Sequence, residues 1–155
     1  MADKHLLIVF HSQSGGTTAM ADAVIDGARD ASIEGITVEV VDALAATPAQ
    51  VQAADAIILG TPENFGYMSG ALKYFFDHIY YPCLEHTQGL GYALFIKAGN
   101  DGLGAQSAIE RIITGLRWRE LTPPVIRVGD VDAATLTQCR ELGMTVAAGL
   151  EAGLF

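Results

Sequence analysis

The chain has 155 residues, half of them hydrophobic, which fits one folded domain over 1–155 with its own core and argues against a disordered segment. Its 18 acids against 9 Lys and Arg give a net charge of −9, which argues against a nucleic-acid backbone or an anionic membrane as partner and permits docking to basic protein surfaces. No apolar run approaches the roughly 20 residues of a membrane span, residues 6–10 are too short for a signal-peptide core, and Cys83 and Cys139 form no CxxC pair, so free thiols in a cytoplasmic, reducing setting are expected.

Residues 5–10 read as a first strand, with an unbroken apolar run from Leu6 to Phe10 that implies burial on both faces. A helix over about 17–31 follows, with Met20, Ala23, Val24, Gly27 and Ala28 on one face. The β-branched stretch 36–41 is the second strand. Thr47, Pro48 and Gln50 spell a helix start, with Thr as cap, Pro at the first position and Gln completing a capping box. That helix is short, because 56–59 already reads as the third strand. Residues 60–70 read as a loop, and 71–79 as a helix with Leu72, Phe75, Phe76 and Ile79 at core spacing. Residues 80–91, which hold Pro82, read as irregular, 92–97 as the fourth strand and 98–104 as another glycine-rich loop. Ile109, Ile112, Ile113 and Leu116 mark the next helix, 124–128 the fifth strand, and Asp132 caps a final helix. Five strands alternating with five helices predict an α/β fold, a three-layer αβα sandwich around a five-stranded parallel sheet.

In such sheets ligands bind beyond the carboxyl ends of the strands, where the strand order reverses. With the strands in order 2-1-3-4-5, the loops after the first, third and fourth converge there. The first is His11-Ser12-Gln13-Ser14-Gly15-Gly16-Thr17-Thr18, a strand-to-helix turn. Its glycines allow close backbone approach, the first amides of the next helix lack intrahelical partners, and the hydroxyls are neutral donors. Together these make an anion cradle. A plain Ser/Thr-capped turn is the alternative, although it needs only one such residue. Absences remove several rivals: no Lys follows Gly15-Gly16 as a Walker loop requires, no GxGxxG opens the first helix, Gly60-Thr61 stands where a phosphoacceptor carboxylate would, and the first loop has neither Cys nor Arg for a phosphatase. No His/Cys/Asp/Glu grouping has metal-ligand spacing.

Ser12-Gln13-Ser14-Gly15-Gly16-Thr17 resembles the flavodoxin phosphate signature, Ser/Thr-x-Thr/Ser-Gly-x-Thr. The run Thr61-Pro62-Glu63-Asn64-Phe65-Gly66-Tyr67-Met68-Ser69-Gly70, with Leu72, Lys73, Phe76 and Asp77 after it, looks like the second loop and helix of the NAD(P)H:quinone oxidoreductase and NADPH-dependent FMN reductase branch of the flavodoxin-like family. The resemblance covers nearly the whole chain in element order and is weakest over the last helix. It implies FMN as cofactor, with Ser12, Gln13, Ser14, Gly15, Gly16 and Thr17 at the phosphate. Pro62, Glu63, Asn64, Phe65, Gly66 and Tyr67 would run along the isoalloxazine and ribityl chain, and Gly99, Asn100, Asp101 and Gly102 would lie near the pyrimidine end. The phosphate would be held without a nearby cation, since the nearest basic residues in sequence, Lys4 and Arg29, lie away from the turn.

Two features depart from relatives. Residues 98–104 contain no aromatic, so that face of the flavin is open unless a partner subunit, Tyr80 or Tyr81 covers it. The insertion of the larger quinone reductases around the fourth strand is missing, so their tetramer is not expected. No side chain is assigned a catalytic role, because the cofactor performs the redox step. The Gly66 amide is a candidate donor to flavin N5, with a plain turn glycine as the alternative. Phe65 and Tyr67 either pack on the flavin edge or anchor the loop, and His11 either touches the phosphate or bonds to backbone. Two functions remain: an enzyme passing hydride from NADH or NADPH through FMN to a quinone or similar small acceptor, and an electron carrier docking to basic partners. The open ring face favours the first, and the acidity and small size favour the second. A flavodoxin fold that has lost FMN is a third possibility. A homodimer is expected, because exposed loop aromatics call for cover.

Overall fold

The computed structural model describes residues 3–13 and 15–155; Ser14, a predicted phosphate ligand, lies outside the described residues. The chain runs β1 (Lys4–Phe10), α1 (Gly16–Ala28), β2 (Ile36–Asp42), α2 (Pro48–Ala53), β3 (Ala56–Asn64), β4 (Tyr67–Met68), α3 (Gly70–Cys83), β5 (Gly91–Ala98), α4 (Leu103–Leu116), β6 (Arg119–Glu120), β7 (Val125–Val128) and α5 (Ala133–Glu151). Each apolar strand sends alternate residues to opposite faces. Leu7 and Val9 of β1 join the core beneath α2, α3 and α4, while Leu6 and Ile8 join the core beneath α1 and α5. Both faces are therefore covered, as the unbroken apolar run required.

The sheet has seven strands rather than five, and its path is β2-β1-β3-β5-β6, with β7 also on β5 and β4 on β3. Two local events account for the difference. The edge position is filled in two pieces: β6 pairs with Gly91 and Tyr92, and β7 pairs with Phe95 through Ala98. Between them Pro123 and Pro124 have no N–H to give to a ladder, so pairing lapses and resumes. The other addition, β4, is a two-residue antiparallel strand folded back on the end of β3. The remaining pairings, β1 with β2, β1 with β3 and β3 with β5, are all parallel.

Helix α3 also runs further than its sequence suggested, through Pro82 to Cys83. Proline removes one backbone bond near the helix end, while Ile79 and Cys83, four residues apart, are both fully buried and keep the last turn on the core. Both cysteines are buried free thiols, and burial pushes Cys139 up to about 11. On the other face, Arg140 of α5 pairs with Asp26 of α1 and with Asp30 just beyond its end, each at 2.8 Å. The Ser32 hydroxyl and Arg140 hold the Asp30 carboxyl well below the usual carboxylate range. Among the described residues no helix is long and apolar enough to cross a membrane.

Candidate functional site

Strand β1 stops being regular at Phe10, and the His11 amide then donates to the Gly60 carbonyl at 3.3 Å, holding the first loop against β3. The loop closes around one hydroxyl. Ser12 Oγ accepts from the amides of Gly15 (3.3 Å) and Thr18 (3.2 Å). Gly15 adopts φ +89° and caps α1 without a side-chain bond, a conformation that favours glycine. The Gly16 and Thr17 amides, in the first turn of α1, have no acceptor among the described residues and carry the positive end of the helix dipole.

A cation reaches this turn from two strands away. Gly60 leaves room for Phe95 of β5 to cross β3, since a Cβ at Gly60 would sit 2.0 Å from Phe95 Cζ. Phe95 thereby approaches Phe10 of β1, with ring centroids 6.5 Å apart. Lys97, two residues on and on the same face, follows the same path. Its Cε lies 3.1 Å from where a Cβ on Gly16 would be. Lys97 is half-buried and takes part in no ion pair among the described residues. The expectation of a turn without a nearby cation is therefore corrected: the neighbour is Lys97, not Lys4 or Arg29. The signal available in sequence was a lysine near the carboxyl end of an otherwise apolar strand.

The second loop is not a loop. Thr61 and Pro62 continue β3 beside Ile96 and Lys97, and Glu63 and Asn64 then pair with Met68 and Tyr67. A two-residue turn, Phe65 (φ +53°) and Gly66 (φ +72°), joins the two strands. Positive φ at both positions is the type I′ signature, for which Asn-Gly is preferred. Phenylalanine in the left-handed region costs on the order of 1–3 kcal/mol. Its ring recovers nothing by packing, being wholly exposed. The base of the hairpin is fixed: the buried Thr61 hydroxyl accepts from the Ser69 amide at 2.9 Å, and Ser69 Oγ caps α3 by accepting from Leu72 N at 3.1 Å. Its tip rests on α4, where a Cβ at Gly104 would fall 1.9 Å from the Gly66 carbonyl oxygen.

Side chains knit the three loops. Asn64 Nδ2 donates to Gln13 Oε1 at 3.0 Å, and the Asn100 amide donates to Glu63 Oε1 at 3.0 Å. The predicted residues Ser12, Gln13, Gly15, Gly16, Pro62, Glu63, Asn64 and Asn100 thus share one edge of the sheet, with Phe65, Gly66 and Tyr67 at its rim. Asp101 and Gly102 serve α4 instead: Asp101 Oδ1 accepts from Leu103 N at 3.0 Å, and Gly102 is the buried cap at φ +75°. Among the described residues, the buried Glu63 Oε2 and His11 Nδ1 at this edge have no hydrogen-bond partner. The latter stands 3.8 Å from Asp42 Oδ2, too far to bond. Tyr80 and Tyr81 do not reach the site. They lie in the last turn of α3, which starts at this edge and runs away from it. Trp118 is core, its Nε1 donating to Thr87 Oγ1 at 2.9 Å.

The family described as NADPH-dependent FMN reductase matches residues 19–130. The chain belongs to that family. The match begins just after the first loop and takes in the hairpin, Lys97 and the third loop. A protein named flavodoxin from Aquifex aeolicus is 32% identical over 111 residues, covering 72% of this chain and 59% of that one. An NAD(P)H dehydrogenase (quinone) from Archaeoglobus fulgidus is 33% identical over 94 residues, covering 46% of this chain and 49% of that one. The chain spans about half the length of the curated relatives it matches. Among solved structures, a flavodoxin from the domain Archaea superposes with a TM-score of 0.78 at 22% identity, over 95% of this chain and 99% of that one. That likeness establishes a flavodoxin-like fold for this member of the reductase family.

Proposed function

We propose that the chain binds FMN at the carboxyl edge of its sheet and acts as an NAD(P)H-dependent oxidoreductase on a quinone or similar small acceptor. The observation that carries this reading is the cradle itself: amides of Gly16 and Thr17 and a Lys97 that, among the described residues, have no partner, joined to a hairpin whose buried Glu63 Oε2 has no donor among them either. A phosphate suits the first feature and a ring N–H suits the second. FMN held here would supply the redox chemistry, hydride transfer from the nicotinamide to the acceptor.

The protein's part is to hold and orient. Ser12, Gln13, Gly15, Gly16 and Thr17, with Ser14, bind the phosphate, and Lys97 offsets its charge. Pro62, Glu63, Asn64, Phe65, Gly66 and Tyr67 would run along the ring and ribityl chain, with the Gly66 amide a candidate donor to flavin N5. Gly99, Asn100, Asp101 and Gly102 close the far side, Asp101 and Gly102 by fixing the start of α4. Phe65, strained and solvent-facing, gains a surface to cover when the site fills. Phe65→Asn is therefore expected to raise the stability of FMN-free protein by about 1 kcal/mol, relieving the left-handed strain with the residue the turn prefers. A thermal melt reads this as a Tm higher by about 2–4 °C. The same variant binds FMN more weakly in a fluorescence titration; a lower Tm removes strain from the account.

Steady-state oxidation of NADPH by FMN-loaded protein with benzoquinone tests the reading. Turnover supports it. The net charge of −9 and the similarity to a protein named flavodoxin favour a second reading, a carrier docking to basic redox partners. FMN binding without NADPH turnover, together with acceptance of electrons from a separate reductase, selects the carrier. A protein that stays colourless after FMN titration overturns both.

A further inference from the structure

A groove runs from the hairpin down between α3 and α4. It consists of two adjoining cavities of about 330 and 290 Å³ that share Lys73, Arg111 and Ile112. The upper one is also lined by Tyr67, Gly104, Ser107 and Ala108, and the lower by Phe76, Asp77 and Tyr80. The top opens at the proposed flavin site, because Tyr67 belongs to β4 and Gly104 abuts the Gly66 carbonyl. Arg111 stands eight residues after the start of α4, about 12 Å along the helix at its usual rise.

The charges in this groove run against the rest of the molecule. The chain carries twice as many acids as Lys and Arg. Here two cations face one carboxylate, Asp77, which bonds Lys73 Nζ at 2.6 Å. Asp77 raises the Lys73 ammonium above its ordinary range, so Lys73 is charged at neutral pH. Arg111 makes no ion pair or side-chain hydrogen bond among the described residues. Its helical neighbours three and four positions away, Ser107, Ala108, Thr114 and Gly115, are all uncharged. The acid on α4, Glu110, is adjacent to Arg111 in sequence and accepts from Gln106 Nε2 at 2.8 Å instead. Tyr67 and Tyr80 are the remaining titratable groups in the groove. An unpaired arginine and a second cation suit a dianion, and Ser107 adds a neutral donor. The walls of Ala108, Ile112, Phe76 and the two tyrosines suit a flat heterocycle, and the volume is of the order used for small ligands.

We propose that this groove takes the phosphorylated adenosine end of NADPH, with Arg111 and Lys73 at its 2′-phosphate. This rests on the oxidoreductase reading above and makes the chain prefer NADPH to NADH. The probe is 2′,5′-ADP, which carries adenosine and the 2′-phosphate but no nicotinamide. Calorimetric titration is run on the full chain with and without FMN. Saturable binding is expected in both, at least about tenfold tighter than that of 5′-AMP, and Arg111→Glu is expected to weaken it by about tenfold or more. No saturable binding, equal binding of 5′-AMP, or affinities within about twofold of wild type in both Arg111→Glu and Lys73→Gln overturns the proposal. Arg111 is exposed, so its replacement leaves the fold in place, and an unchanged circular dichroism spectrum verifies this. Failure to take up FMN bears on the oxidoreductase reading alone, since the FMN-free titration reads the groove by itself.

Discussion

Lys97→Gln lowers FMN affinity by roughly 10- to 40-fold and leaves riboflavin affinity within about twofold. A hydrogen bond to a charged group contributes about 1.5–3 kcal/mol, and each 1.4 kcal/mol is a factor of ten. Lys97 is half-buried, so solvent screens it in part and the lower half of that range applies. The comparison with riboflavin isolates the phosphate, because the two flavins differ only there. The helix dipole and the lysine charge repel each other in FMN-free protein, so removing the charge does not cost stability there. Quenching of flavin fluorescence measures both affinities, and the FMN value for wild type falls with added salt more steeply than that for the variant. Equal losses for the two flavins would place the effect in the fold, and no loss for either would remove Lys97 from the site.

Gly104→Ala unseats the hairpin. Intrinsic helix propensity favours this change by up to about 1 kcal/mol. The added methyl, however, would lie 1.9 Å from the Gly66 carbonyl oxygen, a backbone atom in a pinned turn. Neither partner can rotate away, so α4 and the hairpin must separate. Overpacking of this kind costs about 1–3 kcal/mol, and the clash outweighs the propensity gain. FMN affinity drops roughly tenfold or more as the hairpin leaves its place beside the first loop. Gly70→Ala is the control. It begins α3 with open space around its Cβ position, so the same chemical change is neutral or mildly stabilising there. Urea melts of the two variants shifted in the same direction would contradict the steric account.

How much of this was legible in the sequence depended on whether the signal was local. The strand readings over 5–10, 56–59 and 92–97 gave the parallel core and its carboxyl edge, because burial on both faces leaves a nearly continuous hydrophobic stretch. The Thr47–Gln50 capping box was readable for the same reason, and its bonds are present. The hairpin was hidden because Thr61-Pro62-Glu63-Asn64 has neither strand composition nor alternation, and because Phe-Gly is a poor type I′ turn. The strand character of Thr61 and Pro62 comes from pairing with β5, a partner far along the chain, and that of Glu63 and Asn64 from the fold-back of β4. Lys97 was missed for a related reason. Its reach to Gly16 depends on Gly60 and Phe95 exchanging space in three dimensions, and no periodicity records that.

The break between β6 and β7 bears on how the protein behaves when concentrated. A parallel sheet of this kind has two open margins, and a long, flat margin is a template on which a second molecule can add a strand and begin a fibril. Here one margin, β2, carries Thr37 and Glu39 facing solvent. The other is cut into strands of two and four residues by Pro123 and Pro124, which cannot donate to an incoming chain. That side of the sheet offers no uninterrupted row of backbone donors, so self-templated aggregation is resisted there, while on β2 the solvent-facing Glu39 charge opposes it.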